Sequence, residues 1–556
     1  MRNLAKPSGL AALVAAIGLP AWAQQAADTA TQAVTGAVEG AVEGATTAAG
    51  AVTDAAAGAA AATDAATTAV AEAVTEVVPT AVAEVAAAAG PVLYEYVKAV
   101  DKGDVAWMSI STILVLLMII PGLALFYGGL VRTKNMLSML TQVFAIVAVV
   151  CLIWVTYGYS MAFSYGGGLD QWVGGFSKLF LKGVDATTLV PTFSNGVWLP
   201  EYTFVAFQMT FACITPALIV GAFAERIKFS SLMVFVILWV TLIYFPMAHM
   251  VWWWGGPDFL AEQQTLKLIA EAAGDTAGVE AASANLAANG MLWNWGALDF
   301  AGGTVVHINA GVAGLVGCIV AGKRVGYGKD NMAPHSLTMT MIGAALLWVG
   351  WFGFNAGSNL ESNSIAALAI INTFVATAAA GVAWMFAEWL LKGKPSLLGL
   401  VSGVVAGLVA VTPAAGFAGP MGSIVLGLFA GVACFLFVAY IKSALKLDDS
   451  LDVFGIHGLG GIIGALATGI LVNPALGGAG VADYTSVPGT LQVAPYDMGF
   501  AFMAQLKAVG FTVAFVGIGS LVLFLVIKLV MGLRVKQEDE REGLDLASHG
   551  ERAYNM

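Results

Sequence analysis

The sequence predicts an all-α polytopic membrane protein with eleven transmembrane helices. They form a five-plus-five inverted repeat and a long eleventh helix, with the N-terminus outside and the C-terminus cytoplasmic. Three observations predict this. Of 556 residues, 59% are hydrophobic and only 11% are charged. Charge-free runs recur at the length of about 20 apolar residues that a spanning helix needs. Basic residues then collect on alternate loops, as they do in membrane proteins of fixed orientation.

Helices 1 to 5 correspond to the runs Val105–Val131, Asn135–Leu169, Tyr202–Ala224, Phe229–Pro257 and Phe300–Gly322. Helices 6 and 7 fall in Asn331–Leu360 and Ser362–Ala387. The Pro395–Ile441 run is long enough for helices 8 and 9, because TPAAGFAGPMG at 412–422 breaks it with two prolines and three glycines. Val453–Ala482 and Ala508–Ile527 supply helices 10 and 11. One set of loops carries Arg132, Lys134, Arg226, Lys228, Lys323, Arg324, Lys329, Lys392, Lys394, Lys442 and Lys446, whereas the other carries only Lys178, Lys182 and Lys267. That asymmetry sets the orientation.

The N-terminus agrees with it. Arg2 and Lys6 precede LAALVAAIGLP and then Ala21-Trp22-Ala23, a small-x-small cleavage site. Residues 1–23 are expected to be a secretory signal peptide rather than a span, which points to a bacterial inner (plasma) membrane. Residues 24–97 form an exported Ala-rich low-complexity tail with nine acidic residues and no basic ones. Too few large apolar side chains are present there to pack a core. The membrane domain is expected over 98–533, with a C-terminal tail over 534–556. The net charge of −11 is mostly an effect of the exported tail, so no nucleic-acid partner is implied. The four cysteines all lie inside spans, where thiols pack as small apolar groups.

Two stretches match across the halves. DFAGGTVVHINAGVAG (299–314) opens helix 5, and SLDVFGIHGLGGIIG (450–464) opens helix 10. Each has an Asp, then a His, then glycines. Five helices per half is an odd number, so the halves must run with opposite topology, the plan of many transporters. Gly311, Gly314, Gly458, Gly460, Gly461 and Gly464 allow close helix approach, close enough to bring His307 and His457 together.

An ionisable residue inside a span is a functional candidate by default. A pair formed by His307 and His457 offers donor and acceptor nitrogens able to bind a small polar molecule or pass a proton, unless it is merely a polar tie between two helices. Axial ligation of a haem is disfavoured, because glycines crowd the space a macrocycle needs. His249, His335 and His549 are expected at boundaries or on the surface. Asp299 at the outer end of helix 5 is either a helix cap or a cation-binding carboxylate, and the two roles are compatible. Trp252, Trp253 and Trp254 form either an interfacial belt or a cation–π site. Phe207 and Phe211 share one face of helix 3. Trp351, Phe354 and Ser358 run along helix 6, where a stripe of aromatics most often serves packing. No nucleophile–base set, phosphate loop or metal-spaced cluster is present, so no enzyme, cofactor or metal is expected.

GAFAERIKF, AHMVWW, DFAGGTVVHINAG, FGFNAGS and DVFGIHGLGG, in that order along the chain, together resemble the ammonium transporter family (the Amt/Mep/Rh group), over about Trp107 to Tyr554. The resemblance implies eleven spans, a homotrimer and one path per subunit for ammonium or ammonia. It implies an outer recruitment site at Trp252 and Ser358 with Phe207, Phe211 and Asp299, a gate of stacked Phe211 and Phe354, and a pore lined by His307, His457 and Trp351. It implies a regulatory cytoplasmic tail over Val535–Tyr554 and a PII-type signalling protein docking on the cytoplasmic face. The expected function is electrogenic uptake: NH4+ is recruited and deprotonated, NH3 crosses, and the proton passes separately along the twin histidines. The alternatives are a passive NH3 gas channel and an ammonium-sensing receptor. The chain lacks the appended output domain a receptor of this type often carries, which favours transport. The long loop Pro257–Trp295 and the exported tail depart from the family pattern and leave the shape of the outer vestibule open.

Overall fold

The computed structural model describes residues 98–487 and 491–554. The signal peptide and the exported Ala-rich tail assigned from sequence lie outside the described residues. Among the described residues, eleven helices are long and apolar enough to cross a membrane: Lys102–Leu130, Thr133–Ala162, Glu201–Phe223, Phe229–Trp252, Gly303–Ala321, Leu337–Gly357, Ser364–Lys392, Leu397–Ala414, Pro420–Ala444, Phe454–Leu471 and Met498–Val530. They are numbered here as spans 1 to 11. Each coincides with a run read from the sequence, and the break at 412–422 separates spans 8 and 9 as the prolines and glycines require.

The spans divide by burial. Spans 3, 5 and 8 have 78% of their most apolar window buried, against 22% for span 11, so the first three form the centre and the last lies on the rim. Leu529 and Val530 at the end of span 11 are more than three-quarters exposed, a face suited only to lipid.

Spans 5 and 10 cross backbone to backbone. A Cβ placed on Gly311 would lie 2.3 Å from Gly458 Cα, and one on Gly461 would lie 3.0 Å from His307 Cβ. Gly311, Gly458 and Gly461 therefore make the crossing that the sequence anticipates. Gly314 turns instead to Ala222 and Val453, Gly460 to Val409, and Gly464 to Ala410 and Pro413.

Two details depart from the sequence reading. Span 5 begins at Gly303 rather than near Asp299, because Gly302 takes φ +108°, a conformation that breaks the helix before it starts. His307 is thus in the first turns of its span. The carboxylate equivalent to Asp299 in the second half is Asp449, not the Asp452 of the matched stretch. Asp299 precedes His307 by eight positions, and Asp449 precedes His457 by the same eight. Each accepts backbone N–H bonds from the opening turn of its span. Asp452 instead pairs with Lys442.

We call the end of the bundle that carries the basic loops the basic end, and the opposite end the vestibule end. At the basic end, Glu225 is buried beneath Arg132 (2.8 Å) and Arg324 (3.1 Å). Arg324 continues to Asp448 at 2.7 Å. Arg226, fully buried, donates to the Asp448 carbonyl at 2.7 Å. The tail docks on this cluster. Arg534 pairs with Glu540 at 2.6 Å, Glu540 accepts from the Val325 N–H at 2.6 Å, and Asp545 accepts from the Ser138 N–H at 2.7 Å.

Candidate functional site

At the vestibule end lies a cavity of about 510 Å³, walled by Phe211, Trp252, Asp299, Phe300, Gln208 and Ser358 among others. Phe211 lines it and meets three of the aromatic residues assigned from sequence. Phe211 meets Phe207 at 5.0 Å and Trp252 at 5.7 Å between ring centroids, both edge-on, and stacks on Phe354 at 4.4 Å with 23° between planes. Phe207 and Phe354 are completely buried. Phe207 packs behind Phe211 against Gly357 and does not line the cavity. Ser358 turns its hydroxyl back to the Phe354 carbonyl at 2.8 Å, which leaves the oxygen's lone pairs for a donor.

Asp299 binds the start of span 5 rather than pointing into the cavity with a free oxygen. One carboxylate oxygen accepts from the N–H groups of Gly302 (2.9 Å) and Gly303 (2.6 Å), and the other from Thr304 (2.8 Å) and Val305 (3.0 Å). These are four N–H groups that the helix itself cannot satisfy. Burial pushes the Asp299 carboxyl above the usual carboxylate range, against the opposite pull of those bonds. Its backbone carbonyl receives Trp252 Nε1–H at 3.0 Å, so the helix cap also orients the tryptophan.

Behind the phenylalanine pair lie the two histidines. His307 and His457 face each other with Nδ1 atoms 3.3 Å apart and ring centroids 5.3 Å apart. Both are buried, and both sit in π-helical turns, Gly303–Ile308 and Phe454–Gly458. Periodicity in the sequence gives no sign of them. Trp351 stacks on His307 at 5.4 Å, and His307 lies 5.9 Å from Phe354. The order from the cavity inward is therefore Trp252 and Ser358, Phe211, Phe354, His307, His457. The structure brings together all nine residues expected from sequence.

Sequence reasoning passed over three polar residues. Gln208 lines the cavity one turn from Phe211; a lone amide within FQMTFA was the available signal. Thr412 contacts His307 Nε2 at 3.3 Å and Trp351 Nε1 at 2.9 Å, and Asn355 lies 3.2 Å from Thr412. Thr412 was legible only as part of a turn. His249, expected at a boundary or on the surface, is fully buried, with its two ring nitrogens 3.0 Å from the Ala162 carbonyl and 2.6 Å from the Asp170 carbonyl. Trp253 stacks on it at 5.6 Å and also lines the cavity. The cysteine thiols are free, and those of Cys151 and Cys213 lie 3.7 Å apart.

Comparison with known proteins adds an independent line. A family model described as Ammonium Transporter Family matches residues 106–554. The chain is 44% identical over 458 residues to the ammonium transporter of Aquifex aeolicus (strain VF5), covering 82% of this chain and 94% of that protein. It is 41% identical over 459 residues to the ammonium transporter of Bacillus subtilis (strain 168), covering 82% and 99%. Among solved structures it is similar to Mep2 of Saccharomyces cerevisiae, with a TM-score of 0.63 and 31% identity over 79% of this chain and 91% of that one.

Proposed function

The chain belongs to the ammonium transporter family, and from that membership we propose that it captures NH4+ in the vestibule, removes its proton, and conducts NH3 past the phenylalanine pair while the proton crosses separately along His307 and His457. Its substrate is ammonium or ammonia, and it is a multi-pass membrane protein. The mechanism rests on energetics applied to the geometry.

The observation that carries it is the closed, face-to-face Phe211–Phe354 contact between the cavity and the histidines. Stripping an ion of its water costs tens of kcal/mol by Born reasoning. A cation–π contact returns only about 0.5–2 kcal/mol. An amine such as lysine loses its proton at pH 7 for about 4–5 kcal/mol, from a pKa about 3.4 units higher. Deprotonation is the cheaper way past two stacked rings. Trp252 offers a π-face and Ser358 a lone pair to the incoming cation. Asp299 has both oxygens saturated by N–H groups, so it supplies negative charge at a distance rather than a ligand atom. Beyond the rings, the facing imidazoles provide the polar route that a proton needs and NH3 does not.

The same reading makes the protein a homotrimer of the bacterial inner membrane with 1–23 as signal peptide and 24–97 exported. It also makes 534–556 a regulatory tail. The tail's hydrogen bonds to Arg226, Val325 and Ser138 support that assignment, because a partner of the PII type that engages the tail would act directly on the loops joining spans 3–4 and 5–6 and on the start of span 2.

The test is a current recorded from proteoliposomes on a pulse of ammonium, beside empty liposomes. A saturable inward current that disappears in Asp299→Ala is expected. Ammonia flux without current would make the protein a passive channel for the neutral gas, and absence of both would favour a receptor.

A further inference from the structure

The Thr412 hydroxyl, in the last turn of span 8, sits among four polar groups, three of which have fixed roles. Trp351 Nε1–H, at 2.9 Å, only donates. The Leu408 carbonyl, at 2.8 Å, only accepts. Asn355 is oriented from its other side. Thr373 spends its proton on the Ala369 carbonyl at 2.7 Å, so it presents lone pairs to Asn355, which must offer its Nδ2 there at 3.0 Å. That turns Asn355 Oδ1, an acceptor, toward Thr412 at 3.2 Å. The fourth neighbour is His307 Nε2 at 3.3 Å, and a neutral imidazole nitrogen can play either part.

A hydroxyl has one proton and two lone pairs. The proton of Thr412 is claimed by two acceptors, Leu408 O and Asn355 Oδ1. Its lone pairs are left for two N–H groups, Trp351 and His307. Giving the proton to His307 instead would strand Asn355 Oδ1, which is buried and has no other donor among the described residues. Buried polar groups avoid that state.

We propose that Thr412 is a positioning residue that fixes the tautomers of the histidine pair. His307 carries its proton on Nε2 and gives it to Thr412. Its Nδ1 is then a lone pair, so His457 donates from Nδ1–H across the 3.3 Å contact. His457 Nε2 keeps the free lone pair. The hydrogen bonds run in one direction, from His457 to His307 to Thr412.

This order has a consequence for turnover, which rests on the relay reading above. When one proton passes from His307 to His457, His307 has gained a proton on Nε2 and given one from Nδ1. His457 has received it on Nδ1 and released one from Nε2. The tautomers that remain are those Thr412 selects. Thr412 therefore stabilises the discharged pair, and each cycle must reset it.

The test is solid-state NMR of the full-length protein in liposomes, with 13C,15N-histidine and carbonyl-13C valine. Val306 precedes His307, and none of the other four histidines follows a valine, so the backbone correlation identifies His307 uniquely. The expected spectrum shows His307 protonated on Nε2 and His457 protonated on Nδ1. Thr412→Val should abolish that single state, and Thr412→Ser should restore it. A wild-type His307 protonated on Nδ1, or tautomers unchanged in Thr412→Val, would overturn the proposal. The relay reading fails separately, if His307→Ala combined with His457→Ala still carries full ammonium current.

Discussion

Replacing Gly311 by alanine should abolish the current through packing alone. A methyl group built at this position lies 2.3 Å from both Cα and N of Gly458. Those are backbone atoms, so no rotamer change relieves the overlap. Ordinary contact begins at about 3.4 Å, so spans 5 and 10 must part by about 1.1 Å at the crossing. His307 is one turn away. Carried there, the same displacement lengthens its 3.3 Å contact with His457 to about 4.4 Å. That distance is beyond any hydrogen bond. Overpacking a close-packed interior typically costs about 1–3 kcal/mol, so the variant should still fold with a lowered Tm. The assay is the ammonium-pulse current in proteoliposomes, read beside Tm and the elution profile in detergent. A folded Gly311→Ala protein passing wild-type current would refute the claim that the glycine crossing holds the relay together.

Three further outcomes follow from the geometry. Phe354→Ala removes one face of the 4.4 Å stack and should let potassium follow ammonium, visible as a current in potassium alone that the wild type lacks. Glu225→Gln breaks a buried ion cluster, a change that typically costs about 3–5 kcal/mol; burial pushes the Glu225 carboxyl up, but the Arg132 and Arg324 guanidiniums outweigh it and hold the group below the ordinary 4.5. Its contribution is therefore complete above that value and is lost as pH falls through the depressed folded value, so Glu225→Gln should flatten the acid limb of a Tm-against-pH curve. Asp449 behaves in the opposite sense: burial first, then Asp452, push it from 3.8 to about 6. The folded chain holds the extra proton between those values, so Tm should decline as pH rises from about 4 to about 6, and Asp449→Asn should remove that slope.

The fold was legible because its signal is one-dimensional. Spans of about 20 apolar residues, punctuated by charge and by Pro–Gly breaks, announce themselves along the chain. The site was legible in part because its residues violate that signal. His307 and His457 stand out in apolar runs, and the glycines beside them have no purpose without a close neighbour. What stayed hidden depends on three dimensions or on backbone irregularity. The start of span 5 moved because Gly302 leaves helical space, which hydrophobicity does not register. The match of Asp449 to Asp299 was missed because Asp452 stands closer to the histidine, and only the cap contacts tell them apart. Thr412 and Asn355 are unremarkable as letters, since threonine and asparagine cost little in a helix. They matter because span 8 brings Thr412 against His307 and span 6 brings Asn355 against Thr412. His249 was misplaced because nothing local reveals that the 166–175 segment folds over it.

The ion cluster at the basic end has a bearing on speed. Arg132, Glu225, Arg324 and Asp448 fasten together loops from both halves, and the crossing of Gly311 on Gly458 leaves no clearance between the two central helices. Two halves joined in this way cannot rock about their interface without breaking buried charge pairs at one level and backbone contact at another. Rocking of the two halves about their interface would have to carry both of those costs. What can still move is small: the rotation of two phenyl rings, a hydroxyl, the exchange of protons on two imidazoles. None of these needs the microsecond-to-millisecond hinge motions of domains. On the proposed mechanism, turnover is then set by chemistry at a stationary pore rather than by the protein's own rearrangement.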